Sequence, residues 1–297
     1  VRPETVREDV PLARFTTLGT GGPARFFAAP ESVEELVDLL AWAAEKELPA
    51  APIGLGSNLL VADDGFPGLA LKLSGDLASA TVQGERLLAG GGASLAVCLH
   101  RARDAGLGGL EFACAIPGTV GGAVWMNAGA YGSEMAQVLE SVLVADAGGA
   151  RRLGPDELGL TYRRSGLRPG QIVARAELRL VPRPVEAVKA TVAELQALRK
   201  AAQPTNKRTF GSVFKNPEHE LTAGRMLEAC GLRGFAIGGA CISPKHANFI
   251  ENAGGATTAD AVALIAEARA RALDRFGVRL EPEVQLLGPV EIPPLPA

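Results

Sequence analysis

The sequence predicts an α+β fold built in about three pieces, and three observations carry that prediction. The 297 residues exceed the usual length of a single domain. Helical stripes and short strands are interspersed along the chain, and Pro182 and Pro184 mark a boundary behind a strand. A hydrophobic fraction of 47% against 21% charged residues excludes disorder.

The elements follow in order. Residues 24–29 read as a strand. Ser32 then caps a helix, with Glu35 three residues on completing a capping box. Leu36, Leu39, Leu40 and Ala43 form its apolar stripe. A short strand at 50–55 completes a βαβ unit and runs into Gly54-Leu55-Gly56-Ser57-Asn58. Leu69–Leu73, Ala80–Gln83 and Arg86–Ala89 are short strands around turns. Ser94 and Gly106 bracket a helix at 94–105. A Gly-rich tract, 116–132, follows. Val138–Asp146 and Arg151–Leu153 flank Ala147-Gly148-Gly149 as a hairpin. A strand at 171–180 ends before the two prolines. The helix at 185–201 sets Val188, Val192, Leu195 and Leu198 on one side. Beyond Pro204 the pattern predicts a helix at 223–230 between Thr222 and Gly231, and strands near 235–242 and 247–251. A long helix capped by Thr258 ends at Gly277, and a last strand covers 278–287.

Composition narrows the function. A net charge of −3 supports neither a nucleic-acid nor an anionic-membrane partner. No apolar run reaches the roughly 20 residues of a membrane span. The mixed, charged start Val1-Arg2-Pro3-Glu4-Thr5 carries no signal-peptide core. The expected location is therefore the cytoplasm. Cys98, Cys114, Cys230 and Cys241 are far apart in apolar stretches and read as buried free thiols. The three histidines, His100, His219 and His246, are scattered, so no metal site is expected.

Any anion site must therefore be built locally, and the 36 glycines supply the means. Glycine lets backbone N–H groups approach closely and adopt positive φ, and successive N–H groups form an anion nest. Gly54–Asn58 together with 116–132 could cradle a pyrophosphate. No Gly-x-x-x-x-Gly-Lys-Ser/Thr is present, which excludes a P-loop. A Rossmann loop opens directly into a helix, whereas Asn58 is followed by the extended Leu59–Gly65. Pattern alone stops at a phosphate-binding α+β enzyme.

At these residues the sequence resembles the UDP-N-acetylenolpyruvoylglucosamine reductase family. The resemblance lies in Thr17–Ala24, Gly54–Asn58, Ile116–Gly122 with Asn127–Gly132, Tyr162–Ser165, Gly211–Pro217 and Leu280–Val284, six motifs in family order from about residue 11 to 288. It implies noncovalent FAD in a two-lobed vanillyl-alcohol-oxidase/PCMH-type region (1–65 and 66–183). A C-terminal α+β domain (184–279) would bind the UDP-sugar, and residues 280–297 would return to the flavin region. NADPH would be the hydride source in a ping-pong cycle, and the products belong to peptidoglycan synthesis. The interval before Gly211 lacks the insertion that carries a substrate-clamping tyrosine in some members, so the chain resembles the shorter subtype.

The resemblance assigns FAD contacts to Gly54, Leu55, Gly56, Ser57, Asn58, Ile116, Pro117, Gly118, Thr119, Gly121, Gly122, Asn127 and Gly129. It implies hydride transfer from the flavin N5 to the enolpyruvyl methylene, with Ser212 giving a proton to the α-carbon. Arg163 would face the substrate carboxylate, where a guanidinium fork suits accumulating charge. Glu283 would be the acidic partner. Tyr131, Asn216, Arg233 and His246 are substrate-site candidates. Spacing alone assigns none of these roles, since a serine after glycine is ordinarily a turn residue and paired arginines ordinarily face solvent. Two other readings stay open at this point: a flavoenzyme of the same fold acting on a hydroxy acid or sugar lactone, and a non-catalytic nucleotide-sugar-binding protein. The oligomeric state is also open, with a monomer favoured.

Overall fold

The computed structural model describes residues 2–295. Val1, which opens the charged N-terminal stretch, and Pro296 and Ala297, which end the C-terminal tail, lie outside the described residues. The chain forms two compact units. The first holds the residues up to Glu8, Phe26–Leu55 and Pro67–Arg199. The second holds Asp9–Arg25, Gly56–Phe66 and the residues from Lys200 onward.

The first unit is organised by a five-stranded antiparallel sheet of order Gly149–Leu153, Leu139–Asp146, Ile172–Arg179, Arg86–Gly90, Ala80–Gln83. Successive strand residues face opposite sides. In Ile172–Arg179 a register shift between the Arg175 and Val173 pairings to Leu139–Asp146 resets that alternation, so Ile172 and Ala174 join one core cluster with Leu36, Leu40 and Leu69, whereas Val173, Ala176 and Leu178 join another with Leu87, Leu95 and Val120. The helix Val33–Glu45 buries Leu36, Leu39, Leu40 and Ala43, the stripe expected. Ser32 Oγ accepts the Glu35 N–H at 3.1 Å. The Glu35 carboxylate, however, accepts from Glu31 N at 2.9 Å and not from Ser32, so the box closes one residue early. The strand Ala50–Pro52 pairs in parallel with Phe66–Leu71, which lies between it and Pro23–Ala28. Ser94 caps the helix Leu95–Asp104, and Gly106 behind it takes φ +71°.

Past the sheet, Val181–Pro182 pairs with Leu107–Gly108, and Arg183 meets the buried Glu111 at 2.5 Å. The compact unit continues beyond Pro184 to Arg199. The helix Val185–Ala202 does not bury the stripe read from its sequence. Val188 is enclosed and Val192 packs at the core's edge, but Leu198 is 49% exposed.

The second unit holds a four-stranded antiparallel sheet of order Thr209–Ser212, Phe249–Asn252, Ala240–Ile242, Ala236–Ile237. Helices Ala223–Ala229 and Thr258–Phe276 cover a core that includes Leu18, Leu60, Phe210, Phe214 and Leu264. Thr222 caps the shorter helix as expected. The long helix is capped by Thr257 and not Thr258, with Asp260 closing the box. The Thr258 hydroxyl is engaged elsewhere: it donates to Val61 O at 2.6 Å and lies 2.8 Å from that of Thr20. The last strand is shorter than the sequence suggests. Only Gln285–Leu287 is regular, parallel to Leu59–Val61, while Pro282 makes a single bridge to Phe214. Pro282 has no N–H to extend a ladder. Among the described residues no helix is long and apolar enough to cross a membrane, and no group of His, Cys, Asp or Glu could hold a metal ion.

Candidate active site

In the first unit the two glycine tracts meet. A Cβ on Gly54 would lie 2.7 Å from the Thr119 hydroxyl, so only glycine fits there. Gly54 O accepts from Lys72 Nζ at 2.8 Å, and burial pulls the Lys72 ammonium below its usual pKa. Thr119 is 5% exposed and caps the short helix Val120–Trp125, its Oγ1 accepting from Gly122 N. Gly121 is required by packing: its N–H donates to Gly91 O at 2.7 Å, and a Cβ would come within 2.9 Å of that oxygen. Gly122 is different, since a Cβ there would meet only Thr119 Oγ1 at 3.6 Å. Among the described residues, the N–H groups of Gly54, Gly118 and Thr119 have no protein acceptor. A cluster of unengaged N–H donors lined by glycine fits a pyrophosphate. Leu55 is 42% exposed, Pro117 is exposed, and Ile116 packs half-buried against the core.

The rest of this tract builds shape. Asn127 is fully buried at φ +39°. Its Nδ2 donates to Thr161 O at 3.0 Å, and its Oδ1 accepts from Ala136 N at 2.9 Å. Gly129–Ala130 pairs with Ser133–Glu134 across Tyr131 (φ +53°) and Gly132 (φ +83°), two positive-φ residues as a tight hairpin turn demands. A Cβ on Gly129 would lie 2.5 Å from Ser133 O. Tyr131 is thus presented 46% exposed at the tip, and desolvation, then Cys114, raises its phenol pKa against an opposing pull from Arg199. Arg163, itself at φ +54°, donates from Nη2 to Gly129 O at 2.7 Å and stacks 4.9 Å over the Tyr162 ring. The Tyr-Arg motif and the Asn-Ala-Gly tract are therefore one construction.

In the second unit Gly56 turns at φ +65°, and a Cβ there would fall 2.0 Å from Phe15 O. Its carbonyl accepts from Thr17 N at 3.1 Å, which ties the Thr17–Ala24 motif to the loop. The N–H groups of Gly56 and Asn58 also lack a protein acceptor among the described residues. Gly211, at φ +84°, packs against Ser57, with a Cβ placed 3.2 Å from Ser57 O. Half-buried Ser212 ends the strand Thr209–Ser212. Next to it, Val213 O accepts from Glu283 N at 2.8 Å, and Glu283 O accepts from Asn58 Nδ2 at 3.2 Å. Ser212, Glu283 and Asn58, far apart in sequence, thus lie on adjoining segments.

The remaining candidates gather about the helix Ala223–Ala229. Asn216 Oδ1 accepts from Ala223 N at 3.2 Å, Arg233 pairs with Glu228 at 3.1 Å, and the His246 ring sits where a Cβ on Gly224 would be 2.8 Å from its Cε1. Burial, and then the Arg233 charge, lowers the His246 pKa. Two residues were not legible as site residues. Lys72 is a lone lysine in an apolar run, and Asn248 acts through a segment distant in sequence.

Comparison with known proteins agrees with both halves. A family model described as FAD binding domain matches residues 24–153, and the C-terminal domain of UDP-N-acetylenolpyruvoylglucosamine reductase matches residues 203–287. The chain is 44% identical over 282 residues to the reductase of Rubrobacter xylanophilus, covering 94% of each. It is 44% identical over 288 residues to reductase 2 of Symbiobacterium thermophilum, covering 96% of this chain and 93% of that one. The crystal structure of the Thermus caldophilus reductase superposes with a TM-score of 0.83 at 40% identity, covering 95% of this chain and 99% of that one. The flavin-type α+β fold and the six motifs extend along the same span as these matches, and the chain belongs to the UDP-N-acetylenolpyruvoylglucosamine reductase family.

Proposed function

We propose that this chain is the NADPH-dependent flavoenzyme that reduces UDP-N-acetylglucosamine enolpyruvate to UDP-N-acetylmuramate for peptidoglycan synthesis in the cytoplasm. Family membership supports the substrate class, and the observation that carries the chemistry is the hydrogen bond from Glu283 N to the carbonyl of Val213, the residue that follows Ser212. The unengaged N–H donors of Gly54, Gly118 and Thr119 would hold the flavin diphosphate, with Gly122 leaving room for it. Bound FAD supplies the hydride for the enolpyruvyl methylene and is recharged by NADPH.

The protein orients the substrate and manages charge and protons. Arg163, held at Gly129 O and stacked on Tyr162, offers a fork to the substrate carboxylate as negative charge accumulates there. Ser212 delivers a proton to the α-carbon, and Glu283 assists that delivery. Tyr131, Asn216, Arg233 and His246 contribute to binding the UDP-sugar. On this reading residues 1–65 and 66–183 serve the flavin, 184–279 the sugar nucleotide, and 280–297 return Glu283 to the site.

The test is the flavin spectrum of the purified protein. NADPH added without oxygen should bleach it, and UDP-N-acetylglucosamine enolpyruvate should restore it. Ser212→Ala should keep the bleaching and lose most of the recovery. A protein that cannot be loaded with FAD would overturn the reading, and equal loss of both half-reactions would remove Ser212 from its role.

A further inference from the structure

Asn248, 4% exposed, immediately precedes the strand Phe249–Asn252. Its side chain meets Phe214 as a neighbouring strand would. Oδ1 accepts the Phe214 N–H at 2.9 Å, and Nδ2 donates to the Phe214 carbonyl at 2.9 Å. Its own carbonyl accepts from Val213 N at 2.9 Å, and its N–H donates to His246 Nδ1 at 3.2 Å. The register between the strands Thr209–Ser212 and Phe249–Asn252 slips before Ser212. The ladder therefore loses its regularity at the serine, and the Asn248 amide continues it.

The other edge of the same segment is held equally firmly. Val213 O accepts from Glu283 N at 2.8 Å, and Lys215 N donates to Glu281 O at 3.0 Å. Residues 213–215 are thus strung between Asn248 on one side and 281–283 on the other, with Ser212 just before them. We infer that Asn248 is a positioning residue that sets Ser212 against Glu283 for proton delivery. Only a primary amide of this length offers Phe214 both a donor and an acceptor in one plane. Aspartate lacks the donor and alanine lacks both.

The inference rests on the reductase reading, and the experiment separates the two. Asn248→Asp and Asn248→Ala are purified with FAD, and the two half-reactions are followed separately by stopped flow in H2O and D2O. Flavin reduction by NADPH should stay near wild type. Reoxidation by UDP-N-acetylglucosamine enolpyruvate should slow by on the order of 100-fold, as a displacement of about 1 Å implies. The solvent isotope effect on that step should rise as proton transfer becomes limiting. Reoxidation at the wild-type rate in either folded variant, or a parallel fall in both half-reactions, would overturn the inference. So would failure of both variants to fold with flavin, which would make Asn248 a stability element alone. A wild type that itself fails to reoxidise would overturn the reductase reading and this inference with it.

Discussion

Gly54→Ala probes the meeting of the two glycine tracts. The new methyl carbon would sit 2.7 Å from Thr119 Oγ1 and 3.3 Å from its Cγ2, inside the ~3.5 Å of ordinary contact. Thr119 is 5% exposed and has no solvent to swing into. It can rotate off its cap, which costs about 1 kcal/mol, or the tracts can part, at about 1–3 kcal/mol for overpacking. Either route displaces the N–H groups of Gly118 and Thr119. Losing one hydrogen bond to a charged diphosphate, at about 1.5 kcal/mol or more, weakens FAD binding by a factor of about 10. The assay is fluorescence titration of deflavinated protein with FAD, alongside a thermal melt. Gly122→Ala is the comparison. Its Cβ meets the same hydroxyl at a tolerable 3.6 Å, and alanine favours a helix by about 1 kcal/mol. It should keep the melting temperature while losing flavin affinity, whereas Gly54→Ala should lose both. Wild-type FAD affinity in Gly54→Ala would refute the claim that these tracts form the cradle.

Two further outcomes concern the second unit. Thr257→Ala should cost about 1 kcal/mol as a lost helix cap. Thr258→Val, which removes the buried hydroxyl donating to Val61 O, should cost more, about 1–3 kcal/mol; urea titrations giving the reverse order would count against this assignment of the two threonines. Burial and Arg233 hold the His246 pKa below its ordinary value, so the unfolded chain binds protons more readily as pH falls through about 6.5. Stability is therefore full above that pH and declines below it, and His246→Asn should flatten the decline between about pH 7.5 and 5.5. An unchanged pH slope in denaturant titrations would show that another group carries it.

Local chemistry in the sequence reached what is settled locally. Ser32, Ser94 and Thr222 cap helices because the cap and the N–H groups it serves lie within one turn. The expectation failed where a distant partner competes. Thr258 reads as the cap of the long helix, but its hydroxyl belongs to Val61 and Thr20, and Thr257 caps instead. The 278–287 strand shrank because residues 281–283 answer to the irregular Val213–Lys215 segment and not to a straight neighbour. The apolar stripe of Val185–Ala202 satisfied helical periodicity, yet periodicity says nothing about how much partner surface exists, and Leu198 stays in solvent. The glycine tracts were legible as loops, while their mutual contact at Gly54 and Thr119 was not. Asn248 was invisible for the same reason: inside the strand expected near 247–251 it has no assigned partner until Phe214 is placed beside it.

The chain passes between its two compact units at 8/9, 25/26, 55/56, 66/67 and 199/200. During synthesis the first unit has all its residues once Arg199 has emerged. Leu18 and Leu60, made early, must wait for Phe210, Phe214 and Leu264 before their core can close. Two apolar excursions are thus carried on a ribosome-bound chain whose first unit can already be complete. Neither unit corresponds to a continuous stretch that could be lifted out or exchanged as a cassette, so gain or loss of either unit by simple gene fusion is barred to this architecture.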